Sequence, residues 1–484
     1  MRRWILGATI LGSTMAFIDG SVVNVALPVM QRELGAGIAA AQWIVDAYLL
    51  VLSALILAGG SLGDHLGRVR VFGAGVVLFA LASLWCGLAP SVAHLIAARA
   101  LQGLGAAMLV PGSLSIITAA FPQAERGRAI GTWSALTSLA MIAGPLLGGF
   151  LVQTVSWRAI FLINLPLAAV VLWMLPRIKL EHDGRDRAAI DWLGTALITI
   201  ALGGITFSLI EKMALPMAIG VAALIAFIPV ERRVRNPIVP LSLFRSRSFT
   251  GANVLTLLLY AALSGAMFLL PFNFIQVQGY SPLAAGAAFL PFVVLMTLLS
   301  RWSGALADRI GPRVPLLVGP LLAAAGFTLL GALPGIGGTY WTTFFPGIVV
   351  LALGMAVTVA PLTTTVMTSI DDERHAGAAS GINNAIARAA GLLAIAVFGA
   401  VAVFVFAREL DARLTHRGAT PEVRQLMRGE SRKLAEAKAP DAATRSDVQH
   451  AFVAAYRVDM FLGAALAALS AAGALVIARK KQER

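Results

Sequence analysis

Residues 59–70 read GGSLGDHLGRVR, and residues 303–313 read SGALADRIGPR. Each is a short charged turn between two long apolar stretches. Aligning Gly60 with Gly304 brings Leu62 onto Leu306, Asp64 onto Asp308 and Gly67 onto Gly311 at one constant offset. A chain that repeats a Gly-x-Leu-x-Asp-x-x-Gly turn in both halves is most simply a duplicated helical bundle. A second, weaker echo sets Gly127, Ala129 and Gly131 against Gly377, Ala379 and Gly381.

Composition places that bundle in lipid. Of 484 residues, 58% are hydrophobic and 13% charged, against about 25% charge in an ordinary soluble protein. No polar stretch before residue 404 is long enough for a separate globular domain. The net charge of +14 lies in short turns between apolar segments, not in basic runs with interleaved aromatics. It therefore reads as bilayer orientation, and no nucleic-acid partner is expected. The single cysteine, Cys86, excludes an intramolecular disulfide. Arg2 and Arg3 ahead of an apolar run resemble a signal peptide. That run, however, extends to Pro28 and carries Asp19 and Asn24, so it reads as a retained first span.

At about 20 apolar residues per crossing, fourteen candidate spans follow, the first at 4–28 and the last at 453–478. The second (41–60), fourth (92–120), fifth (128–152) and thirteenth (376–403) carry the residues that matter most. The eighth, 214–230, is the shortest and is interrupted by Pro216 and Pro229. An even count puts both termini on one side. Connections on that side carry 23 Lys and Arg, whereas the short connections opposite carry three, Arg32, Arg158 and Lys212. Both termini are thus expected in the cytoplasm, in a multi-pass protein of a bacterial cell (inner) membrane. If spans 1–6 and 9–14 are equivalent, residues 1–176 form an N-terminal six-helix bundle. Residues 177–249 then supply two inserted transmembrane helices with cytoplasmic linkers. Residues 250–484 form a C-terminal six-helix bundle with a long external loop, 404–452. That loop is polar and mixed in sign, and reads as a short external helical hairpin.

Together these pieces resemble the major facilitator superfamily, and within it the fourteen-span drug:proton antiporter family. Five stretches beside the repeated turn carry the likeness. In span 1, IDGSVVNVALP (18–28) resembles the family's first-helix motif, and QWIVDAYLL (42–50) its second-span start. RALQGLGAA (99–107) resembles its Arg-x-x-x-Gly motif, and AGPLLGG (143–149) its antiporter motif. WRAIFLINLP (157–166) is similar to the sixth-span start of the fourteen-span branch. The likeness covers the whole chain and is densest over residues 17–170. Ala140 departs from a frequent glycine, and Pro312 stands where Arg68 stands in the first turn, so the second turn reads as the degraded copy. The resemblance implies an all-α, major-facilitator-type bundle of two six-helix halves plus two inserted helices.

Ionisable side chains within spans mark function by default, because an uncompensated charge there costs at least ~2.5–3.5 kcal/mol on insertion scales. Four stand out: Asp19, Asp46, Arg99 and Arg388. At about 1.5 Å per residue, Asp19, Asp46 and Arg99 share the outer half of the N-terminal bundle. An aspartate and an arginine at one height can pair. Asp19 with Arg99 is the preferred pairing and the one the resemblance implies, leaving Asp46 as the titratable carboxyl of proton coupling. Arg388 falls near mid-bilayer, one turn beyond Asn383 and Asn384. With Asp46 these three are candidates to line a substrate cavity, and hydrogen bonding of Arg388 to backbone carbonyls is the structural alternative.

The resemblance assigns Gly60, Asp64, Gly67 and Arg68 to a cytoplasmic gate, with Asp64 capping a helix of the opposite half, and Asp308 to its second copy. It also assigns Gly144, Pro145, Gly148 and Gly149 to antiport, although a small-xxx-small stripe of Ala140, Gly144 and Gly148 is also what close helix packing requires. No Gly-x-x-x-x-Gly-Lys-Ser/Thr loop, Cys/His metal spacing or nucleophile elbow occurs. No enzymatic activity, metal or cofactor is therefore expected, and energy is expected from the proton gradient. The reading is a proton-coupled exporter of small amphipathic compounds, such as drugs or antibiotics, acting as a monomer in the bilayer. Import of a small solute on the same fold is the alternative, disfavoured by the Gly-Pro motif of span 5.

Overall fold

The computed structural model describes residues 2–178, 191–369 and 373–477. Among them the regular elements are helical: α1 (Arg2–Glu33), α2 (Ile38–Leu66), α3 (Arg68–Leu88), α4 (Val92–Ala120), α5 (Gln123–Thr154), α6 (Ala159–Leu162), α7 (Asn164–Met174), α8 (Trp192–Glu211) and α9 (Ala214–Arg233). Then follow α10 (Arg247–Phe272), α11 (Pro282–Ala287), α12 (Leu290–Ile310), α13 (Arg313–Ala332), α14 (Tyr340–Thr343), α15 (Phe345–Thr368), α16 (Glu373–His416), α17 (Pro421–Glu430) and α18 (Ala442–Val476). Thirteen stretches of the described residues are long and apolar enough to cross a membrane. The remaining expected span coincides with α5, a helix of 32 residues that opens on the polar run Gln123, Glu125, Arg126 and Arg128 and falls outside those thirteen.

Only helices satisfy every backbone group within one segment, which is what a bilayer interior demands. Side chains such as Leu81, Leu84 and Leu88 on α3 and Ile219 and Ile225 on α9 are exposed, an apolar surface suited to lipid contact.

Two compact units divide the chain. The first comprises Met1–Met30, Trp43–Ser208 and Lys212–Pro240; the second comprises Gln31–Gln42, Leu209–Glu211 and Leu241–Arg484. Each is held by the same small-residue device. In the first, a Cβ on Gly105 of α4 would lie 2.7 Å from the Phe79 nitrogen of α3, and one on Gly103 2.5 Å from the Tyr48 carbonyl of α2. In the second, a Cβ on Gly326 of α13 would lie 2.5 Å from the Leu351 nitrogen of α15, and one on Gly354 2.7 Å from the Gly319 carbonyl. Backbones this close gain dispersion contacts that larger residues would prevent.

The repeated turn of the sequence has a backbone counterpart. Gly67 joins α2 to α3 with φ 100° and ψ 122°, and Gly311 joins α12 to α13 with φ 83° and ψ 159°. Side-chain-bearing residues avoid this region, which explains the glycine at both points.

Residues 404–452 are largely helical. α16 runs on for 44 residues to His416, α17 follows, and α18 begins at Ala442 behind the Asp441 N-cap, whose Oδ1 accepts from the Thr444 nitrogen at 2.7 Å. Leu410, Leu414, Met427 and Leu434 are buried within this extension, so apolar packing keeps the helices continuous beyond the expected spans. Span 6 is also interrupted, since α6 and α7 meet at Ile163.

Candidate functional site: a buried polar network and an isolated carboxyl

α1, α3 and α4 converge in the first unit around a fully enclosed polar cluster. Asp19 is 0% exposed, Arg99 1% and Gln102 0%. Arg99 Nη1 donates to Asp19 Oδ2 and, at 2.7 Å, to Gln102 Oε1. Gln102 Nε2 donates to Asp19 Oδ1 at 2.8 Å and to Ser83 Oγ at 2.9 Å. Arg99 Nε reaches the Ile44 carbonyl of α2 at 2.9 Å, and its guanidinium lies 4.4 Å from the Tyr48 ring centroid. Asn164 of α7 extends the cluster through Ser83 Oγ at 3.3 Å. A buried ion pair of this kind persists only when its remaining donors and acceptors are satisfied, and Gln102, Ser83, Ile44 and Tyr48 supply those partners.

Asp46 is not part of that network. It is 0% exposed, and neither of its carboxylate oxygens has a hydrogen-bond partner among the described residues. The reason lies in helical phase. Ile44 and Tyr48, four residues apart, serve Arg99 from one side of α2, whereas Asp46 lies about 200° around the helix from Ile44. The structure thus brings Asp19 and Arg99 together and leaves Asp46 alone.

The span-5 glycines pack directly beside this cluster. A Cβ on Gly144 would collide with Ser21 Oγ of α1, and one on Gly148 would lie 2.9 Å from the Val22 carbonyl. Both contacts fall within a turn of Asp19. Gly149 is buried next to Gly148, and Pro145 sits within α5.

At the α2–α3 junction, Asp64 Oδ1 accepts from Arg68 Nε at 2.9 Å, and Arg68 Nη1 donates to the Ser115 carbonyl of α4 at 3.2 Å. A Cβ on Gly60 would lie 3.5 Å from Pro111 of α4; in the second unit, one on Gly304 would lie 3.8 Å from Ala360 of α15. The repeated turn therefore lies against a neighbouring helix in both units. The side chain of Asp308 lies outside the described residues.

In the second unit, Asn383 Nδ2 donates to Asn253 Oδ1 at 3.0 Å and Thr256 Oγ1 at 2.7 Å, tying α16 to α10. Asn384 is exposed and donates to the Ser380 carbonyl at 3.0 Å. Arg388 is half-buried one turn further along α16.

Two features escaped the sequence reading. Gln102, which completes the ion pair, had a signal in its three-residue spacing from Arg99, since such residues share a helix face. Asp459, buried at 0% on α18, lies within the expected last span, yet its charge reads with the adjoining polar loop.

The sequence profile of the Major Facilitator Superfamily matches residues 9–396. The chain is 37% identical over 437 residues to "Multidrug resistance protein Stp" of Mycobacterium tuberculosis, covering 87% of this chain and 79% of that protein. It is 34% identical to "Tetracenomycin C resistance and export protein" of Streptomyces glaucescens, over 82% of this chain and 76% of that one. "Puromycin resistance protein pur8" of Streptomyces alboniger is also 34% identical, over 87% and 85%. Among solved structures, an inward-facing bacterial homologue of the human lysosomal transporter Spinster superimposes with a TM-score of 0.69 at 18% identity, covering 99% of both chains. With 80% of its length matched by the profile and relatives this similar across most of their own length, the chain belongs to the Major Facilitator Superfamily of membrane transporters.

Proposed function

We propose that this protein is a proton-coupled antiporter that exports small amphipathic compounds such as drugs or antibiotics. Its relatives named for multidrug resistance and for antibiotic resistance and export support the export direction and the substrate class. The observation that carries the coupling is Asp46, a fully buried carboxyl with no donor among the described residues, one helix away from a hydrogen-bonded charge pair. The Asp19–Arg99 pair positions α1 against α4, and Asp46 takes up and releases the proton. A proton moving inward supplies about 2.3 kcal/mol per 100 mV of membrane potential, plus any pH difference.

In this reading fourteen spans are arranged as six, two and six, with α8 and α9 the inserted pair and both termini in the cytoplasm. Asp46, Asn383, Asn384 and Arg388 face the transported compound. Gly60, Asp64, Gly67, Arg68 and Asp308 belong to the cytoplasmic gate, and Gly144, Pro145, Gly148 and Gly149 hold α5 against α1. The protein works as a monomer, with the proton gradient in place of a cofactor.

The test is export in a host stripped of its own exporters, followed by proton release from proteoliposomes on addition of the compounds exported. Asp46→Asn should insert normally and lose pH-gradient-driven export. Full compound-stimulated proton release from Asp46→Asn would overturn the assignment.

A further inference from the structure

The second unit holds a buried acid that the mechanism above does not use. Asp459 of α18 is 0% exposed, and neither of its carboxylate oxygens has a hydrogen-bond partner among the described residues. One turn toward the N-terminus of α18, Tyr456 is 1% exposed and its hydroxyl also lacks a partner. α10 ends in a single π-helical turn, Asn273–Val277, which packs against α18. Within it Asn273 Nδ2 and Gln276 Oε1 are buried and unpartnered too. Their other ends are committed. Asn273 Oδ1 accepts from Gln278 Nε2 at 3.0 Å, and Gln276 Nε2 donates to Gln31 Oε1 at 2.9 Å.

Helix register puts these groups in order. α10 and α18 run antiparallel: a Cβ on Gly251 would lie 2.6 Å from the Gly473 carbonyl, and one on Gly463 3.7 Å from the Ala262 carbonyl. Asp459 is therefore level with about residue 266 of α10, Tyr456 about 4.5 Å further along, and Asn273 about 6 Å beyond that at 1.5 Å per residue. Four orphaned polar side chains thus lie at successive heights, from the end of α10 down to an enclosed carboxyl. Buried polar groups without protein partners are the places where proteins bind internal water. Single π-turns are frequent at functional sites.

Among the described residues, charged groups on the neighbouring elements do not neutralise Asp459. On α13, Arg313 lies at the far end and donates to the Leu475 carbonyl at 3.3 Å, and Arg247 of α10 starts that helix at the same end. Tyr260 of α10 is about 9 Å below the level of Asp459. On α16, Gly265 of α10 abuts Phe398, so Arg388 lies about 15 Å below that level. Arg408 of α16 is exposed, Glu409 pairs with Arg413, and Asp411 pairs with Arg428. In the segment after α17, Arg432 is exposed, Lys433 pairs with Glu430 and Glu436 with Arg32. On α18 itself Arg457 donates to the Pro334 carbonyl at 3.1 Å, and Arg445, Asp447 and His450 lie at least two turns away.

We propose that Asp459 is a second proton-binding carboxyl of the transport cycle, reached through water bound along Tyr456, Asn273 and Gln276. The inference rests on the proton-coupled reading above. A proton passes from water to a carboxylate oxygen, giving the neutral acid, and returns to water on release; only O–H bonds form and break. Two acids in separate units make the number of protons moved per compound a property of both.

Two measurements on the purified full-length protein in liposomes test this. The first is infrared difference spectroscopy on a pH step, which needs no substrate. A carboxylic C=O band should titrate in the wild type, vanish in Asp459→Asn and return shifted in Asp459→Glu. Tyr456→Phe should keep the band but slow its hydrogen–deuterium exchange several-fold. Identical pH-difference spectra for wild type and Asp459→Asn overturn the proposal. If Asp459→Asn fails to fold, the wild-type and Asp459→Glu spectra decide, and the absence of a shifted band between them overturns it. The second measurement is protons released per molecule of an exported lipophilic cation dye, which should fall by one in Asp459→Asn; an unchanged ratio overturns the role in the cycle. A wild type that exports the dye without releasing protons would refute the antiport reading itself, while the infrared band still decides whether Asp459 binds a proton.

Discussion

Gln102 Nε2 donates to Asp19 Oδ1 at 2.8 Å while Gln102 Oε1 accepts from Arg99 at 2.7 Å. One neutral amide therefore touches both members of the buried ion pair, using its donor for the acid and its acceptor for the base. Its second donated bond, to Ser83 Oγ at 2.9 Å, carries the cluster on to α3. The pair is bracketed, and α1, α3 and α4 are fixed at one height by it.

Gln102→Leu should show how much that bracket contributes. It keeps the approximate volume but leaves Asp19 Oδ1 without its donor from Gln102 and takes one acceptor from Arg99 Nη1, a loss of about 1–3 kcal/mol for buried polar groups. The expected outcome is a lower midpoint of thermal unfolding in detergent together with reduced export. A midpoint equal to the wild type would mean that Gln102 merely fills space.

Asp19→Asn and Arg99→Gln each leave one charge uncompensated, a change that costs about 3–5 kcal/mol at buried pairs. Both single variants should therefore be unstable and inactive. The exchange Asp19→Arg with Arg99→Asp restores neutrality and should recover part of the folded yield. Equal losses in all three variants would remove the support for a stabilising charge pair.

The α5–α1 contact makes a differential prediction. At Gly144 the obstacle to a new Cβ is the Ser21 side chain, whereas at Gly148 it includes the Val22 carbonyl 2.9 Å away. Gly144→Ala should destabilise by about 1–3 kcal/mol, in the range of overpacking, and recover when combined with Ser21→Gly. Gly148→Ala should have no comparable rescue from Val22→Ala, because the backbone obstacle stays. Denaturation of the four variants in matched detergent decides it, and rescue at both sites would contradict the geometry.

The duplicated turn offers a backbone test. Gly67→Ala and Gly311→Ala force a side-chain-bearing residue to φ 100° and 83°, at about 1–3 kcal/mol each. Gly127→Ala and Gly131→Ala in α5, where a Cβ would meet nothing within 4 Å, should be neutral or slightly stabilising. Unfolding midpoints that do not separate the two groups would mean the junctions relax freely.

Several features were legible in residue order alone. Apolar runs of spanning length, charges confined to turns and a glycine–aspartate turn repeated at one offset report local constraints: the bilayer's demand for satisfied backbone, and the positive φ at Gly67 and Gly311. The shared height of Asp19 and Arg99 also follows from a fixed rise per residue. Three things required tertiary structure. Phase around α2 decided that Arg99 takes the Ile44 carbonyl and the Tyr48 ring while Asp46 stands apart, and depth along a helix carries no such angular information. Packing of Leu410, Leu414, Met427 and Leu434 carried α16 and α18 past their apolar limits, since polar helices persist wherever one face is buried. The isolation of Asp459 depends on α10, α13 and α16 closing around it, because burial is a property of neighbours that lie far away in the chain.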